Sequence, residues 1–240
     1  MNIVIDQGNS SAKVAIFDEN KLLISLILKK IELSELEKFL LVHSPSKGII
    51  SSVGDTNPEI LKLLHSRIDC FWELSEKTPL PIKINYETPE TLGKDRVAAA
   101  VGAWTEKPNR NLLVIDAGTA ITYDFIDAKG TYLGGNISPG MTIRFKALHD
   151  YTKRLPQLDE KGNIPEIGYS TETAIRAGVV TGILKEMDSY IDEYQKKINV
   201  LTFLTGGHSF YFESQLKNAI FADANLVLKG LNEILNYQYV

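Results

Sequence analysis

With 240 residues the chain can hold one large domain or two of about 120 residues each, and its 44% apolar and 23% charged content leaves no place for bulk disorder. A formal charge of −4 with no Lys/Arg block longer than a pair argues against nucleic acid or an anionic membrane as a partner. The one cysteine, Cys70, excludes an intrachain disulfide and a Cys-based zinc site, and it suits a reducing, cytoplasmic setting.

The start MNIVIDQGN has no basic n-region and reaches Asp6 at once, unlike a signal peptide. No run approaches the ~20 apolar residues that span a bilayer, so a soluble intracellular protein is expected. Residues 2–5 (NIVI) and 12–17 (AKVAIF) are predicted strands joined by the turn-rich QGNSS, and DENK (18–21) turns the chain into a third, LLISLIL (22–28). Asn57 and Pro58 form a helix start, continued by Ile60, Leu61, Leu63, Leu64 and Ile68. Residues 94–104 (KDRVAAAVGAW) predict a well-buried helix.

Next, NLLVID (111–116), AGTA, ITYDFID (121–127), AKG and TYLGGNI (131–137) repeat the order of the first three strands and turns. The aperiodic LPQLDEKGNIPEIGY (155–169), with two prolines, reads as loop. The longest helix is expected over 171–197, with Ile175, Val179, Ile183, Met187 and Ile191 at four-residue steps and Gly178 and Gly182 on the same face for close packing. NVLTFL (199–204) reads as a strand running into TGGH, and NLVLKGLNEIL as a short strand, Gly230 and a closing helix.

Laying Asp6 on Asp116 brings Gly8 onto Gly118, Asn9 onto Thr119 and Ile16 onto Ile126 without a gap. A period of about 110 residues is domain-sized, so internal duplication into two α/β lobes with a cleft between them is expected.

Several motifs could carry chemistry. The glycines of DQGNSSAK and DAGTA permit φ > 0 and let backbone N–H groups approach an anion. Asn9, Ser10, Ser11 and Thr119 add small hydrogen-bonding groups, and Lys13 offers positive charge to phosphate. Asp6 and Asp116 would repel phosphate unless a cation sits between. Either copy alone could be an ordinary hairpin turn; two aligned copies point to function. LTGGH (204–208) allows a flat ligand to lie on backbone, or is a plain strand-to-helix turn. GGNISPG (134–140) ends a hairpin and opens a helix, with Gly135 offering backbone access and Pro139 suited to the first helical turn. In GKDR (93–96), Asp95 stands at a helix N-terminus and Arg96 brings a planar fork for a carboxylate or phosphate; a solvated acidic–basic pair reads equally well from spacing alone. The four histidines are scattered and suggest neither a metal site nor a catalytic triad.

Two Asp-x-Gly hairpins a domain apart and a late Gly-Gly resemble the ATPase superfamily of actin, sugar and acetate kinases and heat-shock chaperones. Within it, DQGNSSAK, GKDR, DAGTAITYD, GGNISPG and LTGG, in that family's order, resemble the type III pantothenate kinases. The resemblance implies two duplicated actin-like, ribonuclease-H-like lobes with mixed sheets flanked by helices and a central nucleotide cleft. The lobes would span residues 1–108, with the phosphate loop and GKDR, and 109–240, with the second hairpin, the Gly-Gly and the long helix.

It also implies ATP-dependent phosphorylation of pantothenate, the first step toward coenzyme A, by a cytoplasmic homodimer that uses Mg²⁺ and a monovalent cation, K⁺ or NH₄⁺. By that similarity Asp6, Gln7, Gly8, Asn9, Ser10, Ser11, Ala12 and Lys13 embrace the ATP phosphates, Ser10 standing where the family often has Thr, and Thr119 touches the nucleotide. Gly93, Lys94, Asp95 and Arg96 hold pantothenate, with Asp95 as proton acceptor; Tyr86 contacts the substrate, and Thr171 reaches it from the neighbouring subunit. Asp116 matches the ligand of the monovalent cation. A nucleotide-binding regulator without activity and a different small-molecule kinase of the superfamily are the rival readings.

Overall fold

The computed structural model describes residues 1–8, 10–54 and 56–239. In chain order the elements are β1 (Asn2–Gln7), β2 (Ala12–Asp18), β3 (Lys21–Leu28), α1 (Leu33–His43), β4 (Lys47–Ser52), α2 (Pro58–Arg67), β5 (Cys70–Glu73), β6 (Lys83–Ile84) and α3 (Lys94–Glu106). There follow β7 (Leu112–Ala117), β8 (Ala120–Ile126), β9 (Thr131–Pro139), α4 (Met141–Asp150), α5 (Thr171–Ile198), β10 (Leu201–Thr205), α6 (Ser209–Glu213), β11 (Phe221–Ala222) and α7 (Leu226–Tyr237). They form two compact units. The first contains Met1–Arg110, Ile126–Gly134 and the segment from Asn225 onward; the second contains Asn111–Phe125 and Gly135–Ala224. Among the described residues no helix is long and apolar enough to cross a membrane.

The sheets show the duplication directly. The first has the order β3-β2-β1-β4-β5, with β1 antiparallel to β2, β2 antiparallel to β3, and β1, β4 and β5 parallel. The second has the order β11-β10-β7-β8-β9-β6, with β10 parallel to both β7 and β11. Short turns join β7 to β8 and β8 to β9, as antiparallel neighbours require, so β9-β8-β7-β10-β11 repeats the first sheet strand for strand.

The gap-free alignment of the repeats needs correction. Gly8 N donates to Ser11 O at 3.0 Å, whereas Gly118 N donates to Ala120 O at 3.0 Å, so the second turn is one residue tighter. Burial agrees: Ile3 and Ile5 match Leu113 and Ile115, but Ala12, Val14 and Ile16 match Ile121, Tyr123 and Phe125 in the respective cores. A one-residue slip moves a strand's side chains to the other face. The counterpart of Lys13 is therefore Thr122, which donates to Asp124 at 2.9 Å, and not Tyr123.

In the first unit, alternation along β1 sends Ile3 and Ile5 into a core with Leu36 and Leu40 of α1 and Ile60 and Leu64 of α2. It sends Asn2 to the opposite face, where its amide donates to Asn232 Oδ1 at 2.8 Å and Asn236 Oδ1 at 3.0 Å on α7. Asp6 shares that face. Helices α3 and α7 cross there at backbone contact: a Cβ on Gly102 would lie 2.5 Å from Leu226 O, and one on Gly230 only 1.8 Å from Ala98 O. This explains why NLVLKGLNEIL is not a strand, a glycine break and a helix. Gly230 is the contact point of one continuous helix that buries Leu226, Leu228, Leu231, Ile234 and Leu235.

The second unit packs Leu113, Ile115, Tyr123 and Phe125 against Ile175, Val179, Ile183, Met187 and Ile191 of α5, the face the four-residue steps predict. Ser170 caps that helix in a reciprocal capping box with Thr173. Gly178 and Gly182 differ from expectation, since a Cβ at either would meet nothing within 4 Å. Pro139 also differs: it ends β9, and Gly140 caps α4.

Replacing Gly230 by Ala should cost about 3 kcal/mol or more in denaturant unfolding, because a backbone oxygen occupies the methyl position. The control Gly54→Ala, which meets open space, should change stability by about 0.5 kcal/mol or less. Equal effects would contradict the crossing.

Candidate active site

The end of β1 builds the first part of the site. Asp6 pairs with Lys13 across the antiparallel β1–β2 ladder and with Ser51 across the parallel β1–β4 ladder, which puts the three side chains in one row on the α3/α7 face. Asp6 is half-buried, and its Oδ1 is enclosed without a hydrogen-bond partner among the described residues. Burial, then the negative charge of Asp95, pushes its carboxyl up to about 6, opposed by Lys13. Gln7 ends β1, Gly8 and Ser11 close the turn, and Ser10 is exposed. The Ala12 methyl is in the core, so only its backbone can face a ligand. Asn9 lies outside the described residues.

The motif glycines act differently from expectation. Neither Gly8 nor Gly118 has positive φ; a Cβ would crowd Ser11 O at 3.3 Å in the first case and Asp116 Oδ1 at 3.2 Å in the second. Close approach, not left-handed backbone, makes these positions small.

The first turn of α3 supplies the second part. Gly93 caps the helix, and a Cβ there would lie 2.5 Å from Asp95 Oδ1. That oxygen accepts the Arg96 backbone N–H at 2.9 Å, which fixes the carboxylate at the positive end of the helix. Lys94 is half-buried and Arg96 is buried, with 6% of its surface exposed. Tyr86 is half-buried beside Tyr132, with ring centroids 6.1 Å apart, and beside Gly134, which has a positive φ of 108°. Asp6, Lys13 and the GKDR residues thus meet in one unit, and Asp6 lies within electrostatic reach of Asp95.

In the second unit three motifs converge on one turn. Asp116, one residue before the end of β7, is in parallel register with Thr205. Gly206, with φ of 96°, brings the LTGG turn so close that a Cβ would lie 2.4 Å from Asp116 Oδ1, and His208 N donates to Ala117 O at 3.0 Å. Gly140 N donates to Thr119 O at 3.0 Å, and a Cβ there would lie 2.3 Å from that oxygen.

Arg144 and Glu186, which no local motif announces, hold the SPG segment in place. Arg144 Nε donates to Pro139 O at 2.8 Å, and its Nη2 donates to Ser138 Oγ at 2.8 Å and Glu186 Oε2 at 2.6 Å. Tyr123 OH donates to Glu186 Oε1 at 2.8 Å. Against the effect of burial, these bonds hold the Glu186 carboxyl below the usual range. Thr171 opens α5 and lines a mainly apolar groove of about 860 Å³ with Arg144, Leu148, Tyr151 and Ile175.

The family model of type III pantothenate kinases matches residues 2–193. A type III pantothenate kinase of Azobacteroides pseudotrichonymphae is 51% identical over 238 residues, covering 99% of this chain and 97% of its own. The chain belongs to the type III pantothenate kinase family. Among solved structures, a Campylobacter jejuni protein described as a Baf family transcriptional activator has a TM-score of 0.64 at 24% identity, covering 98% of both chains. A glucokinase from an Antarctic psychrotroph has a TM-score of 0.56 at 11% identity, again covering 98% of both. At these identities the likeness concerns the fold alone.

A kinase family works with ATP and a divalent metal ion. Asp6 fits that need, because its enclosed Oδ1 has no protein partner among the described residues and its charge lacks full compensation. Among those residues no three His, Cys, Asp or Glu side chains cluster as a metal cage.

Because the folded-state pKa of Asp6 lies above its ordinary 3.8, ionisation destabilises the ligand-free fold as pH rises from about 4 through 6. Asp6→Asn removes that loss. The variant should match the wild type near pH 4 and exceed it by on the order of 2 kcal/mol, about 4–8 °C in Tm, above pH 7. A difference that does not change with pH would contradict this environment for Asp6.

Proposed function

We propose that the protein transfers the γ-phosphoryl group of ATP to the primary hydroxyl of pantothenate, giving 4'-phosphopantothenate and ADP in the first step of coenzyme A biosynthesis. Family membership supports the reaction, and one observation carries the mechanism: Asp95, fixed on the first turn of α3, lies within electrostatic reach of Asp6 in the same unit. Phosphoryl transfer needs positioning and charge neutralisation more than covalent help. The divalent ion supplies charge neutralisation when bound. Lys13 and the backbone N–H groups of the β1–β2 turn hold phosphate oxygens, and Thr119 contacts the nucleotide.

Arg96, with its planar fork, holds the carboxylate of pantothenate, while Tyr86 and Gly93–Lys94 complete its contacts. Asp95 orients the attacking hydroxyl. A free aspartate, with a pKa near ~3.9, is too weak to deprotonate an alcohol in the ground state. In a loose transition state the proton leaves late, and the carboxylate receives it as the O–P bond forms. Asp116 holds the monovalent cation, K⁺ or NH₄⁺; its carboxylate lies close against the backbone of Gly206. Thr171 acts on the substrate of a second copy, which makes the working form a homodimer in the cytoplasm. The open face of α5 at Gly178 is compatible with this arrangement.

A coupled ATP-consumption assay with pantothenate, glycerol and hexoses, with and without K⁺, tests the proposal. Turnover specific to pantothenate and dependent on K⁺ is expected. Turnover with a sugar would make it a different kinase, and no turnover with any acceptor would favour a regulator. Asp95→Asn should keep the fold and ATP binding but lose about two orders of magnitude or more in kcat. Near-normal activity would remove its role. Asp116→Asn should flatten the response to added K⁺, and an unchanged salt response would assign the cation elsewhere.

A further inference from the structure

Ser51 is absent from every motif described above, yet it stands beside Asp6 at the end of β4. It is fully buried, and its Oγ has no hydrogen-bond partner among the described residues, the same condition as Asp6 Oδ1. The two residues are register partners on adjacent parallel strands about 4.8 Å apart, so their side chains share one face. More than nine in ten buried polar groups have a partner, and two adjacent exceptions call for a common cause. The next residue, Ser52, shows that the strand end is not short of acceptors, since its Oγ donates to Gly54 O at 2.7 Å.

The second repeat reproduces the arrangement. Asp116 is the register partner of Thr205, which is also fully buried and whose Oγ1 also has no partner among the described residues. The repeats have diverged in turn length and at Lys13, but both retain an aspartate one residue before the end of the first strand and an unsatisfied hydroxyl on its parallel neighbour.

We infer that Ser51 is a positioning residue for the divalent ion that accompanies ATP, its hydroxyl accepting a hydrogen bond from a metal-bound water beside Asp6. This rests on the nucleotide reading above. A hydrated Mg²⁺ keeps several waters and satisfies neighbouring acceptors at once, which neither a bare phosphate nor an apolar group does. A neutral hydroxyl also suits the place chemically. Another carboxylate would add repulsion where Asp6 and Asp95 already oppose each other, and an ammonium would displace the ion.

Isothermal titration of a non-hydrolysable ATP analogue, with and without Mg²⁺, tests the inference on wild type, Asp6→Asn, Ser51→Ala and Ser51→Thr. Ser51→Ala should weaken the Mg²⁺-loaded analogue roughly 5–30-fold and leave the metal-free analogue unchanged. Its ligand-free Tm should not fall, because the lost hydroxyl has no partner to abandon. Ser51→Thr, which keeps the hydroxyl, should retain the Mg²⁺ response; where the alanine variant does not fold, Ser51→Cys, of similar shape but a poor hydrogen-bonding group, replaces it. An unchanged Mg²⁺ response, or equal weakening with and without Mg²⁺, overturns the inference and leaves Ser51 a packing residue. If wild type itself binds the analogue no better with Mg²⁺ and Asp6→Asn behaves alike, the nucleotide reading fails and the inference with it.

Discussion

The carboxylate of Asp6 is held in a place where water cannot fully solvate it, on a sheet face covered by α3 and α7 and within reach of a second carboxylate, Asp95. Such a group is unfavourable in the ligand-free fold and becomes favourable once a cation neutralises it. Much of the first unit serves to keep it there. The glycine contacts at Gly102 and Gly230 lock α3 against α7, and Asn2 ties β1 to α7 through Asn232 and Asn236. The Gly93 cap then sets Asp95 on the first turn of α3. A rigid framework is what allows two like charges to remain close instead of relaxing apart.

The second unit uses the same topology for a different balance of charge. Its hairpin turn is one residue tighter, and Thr122 takes the place of Lys13, so Asp116 has no cross-strand lysine equivalent. Backbone from Gly206 and Gly140 crowds this turn, and Arg144 and Glu186 anchor the SPG segment from behind. On the function proposed above, the first repeat serves phosphate, with the substrate helix beside it, while in the second the backbone of Gly206 crowds the Asp116 carboxylate. The fold is shared, and the surroundings of the two aspartates differ.

How much of this was legible in the sequence follows from the range of the interactions. The hairpins, α3 and α5 were readable because periodicity and turn chemistry are local: Ile175 through Ile191 mark the buried face of α5 by spacing alone. The one-residue change in turn length was not, since a gap-free alignment of short apolar strands scores well in either register. Gly230 read as a break because local rules treat glycine as punctuation, while its actual partner is Ala98, 132 positions away in sequence. Ser51 and Thr205 were invisible for the same reason: only the parallel pairings β1–β4 and β7–β10 set a hydroxyl beside each aspartate. Within the site, Asp6, Lys13, Asp95 and Arg96 stood out as charged residues among glycines and apolar runs, whereas Arg144 and Glu186 sit on ordinary helix patterns.

The proposed role of Asp6 requires that its carboxylate be unfavourable without a cation and relieved by one. Carbon-13 NMR titration of the Asp6 carboxyl, with Asp6→Asn used for assignment, reads this most directly. The predicted midpoint is about 6 in the ligand-free protein, falling below the ordinary ~3.9 when a Mg²⁺-loaded ATP analogue is bound. A ligand-free midpoint near ~3.9 that the loaded analogue does not move would contradict it.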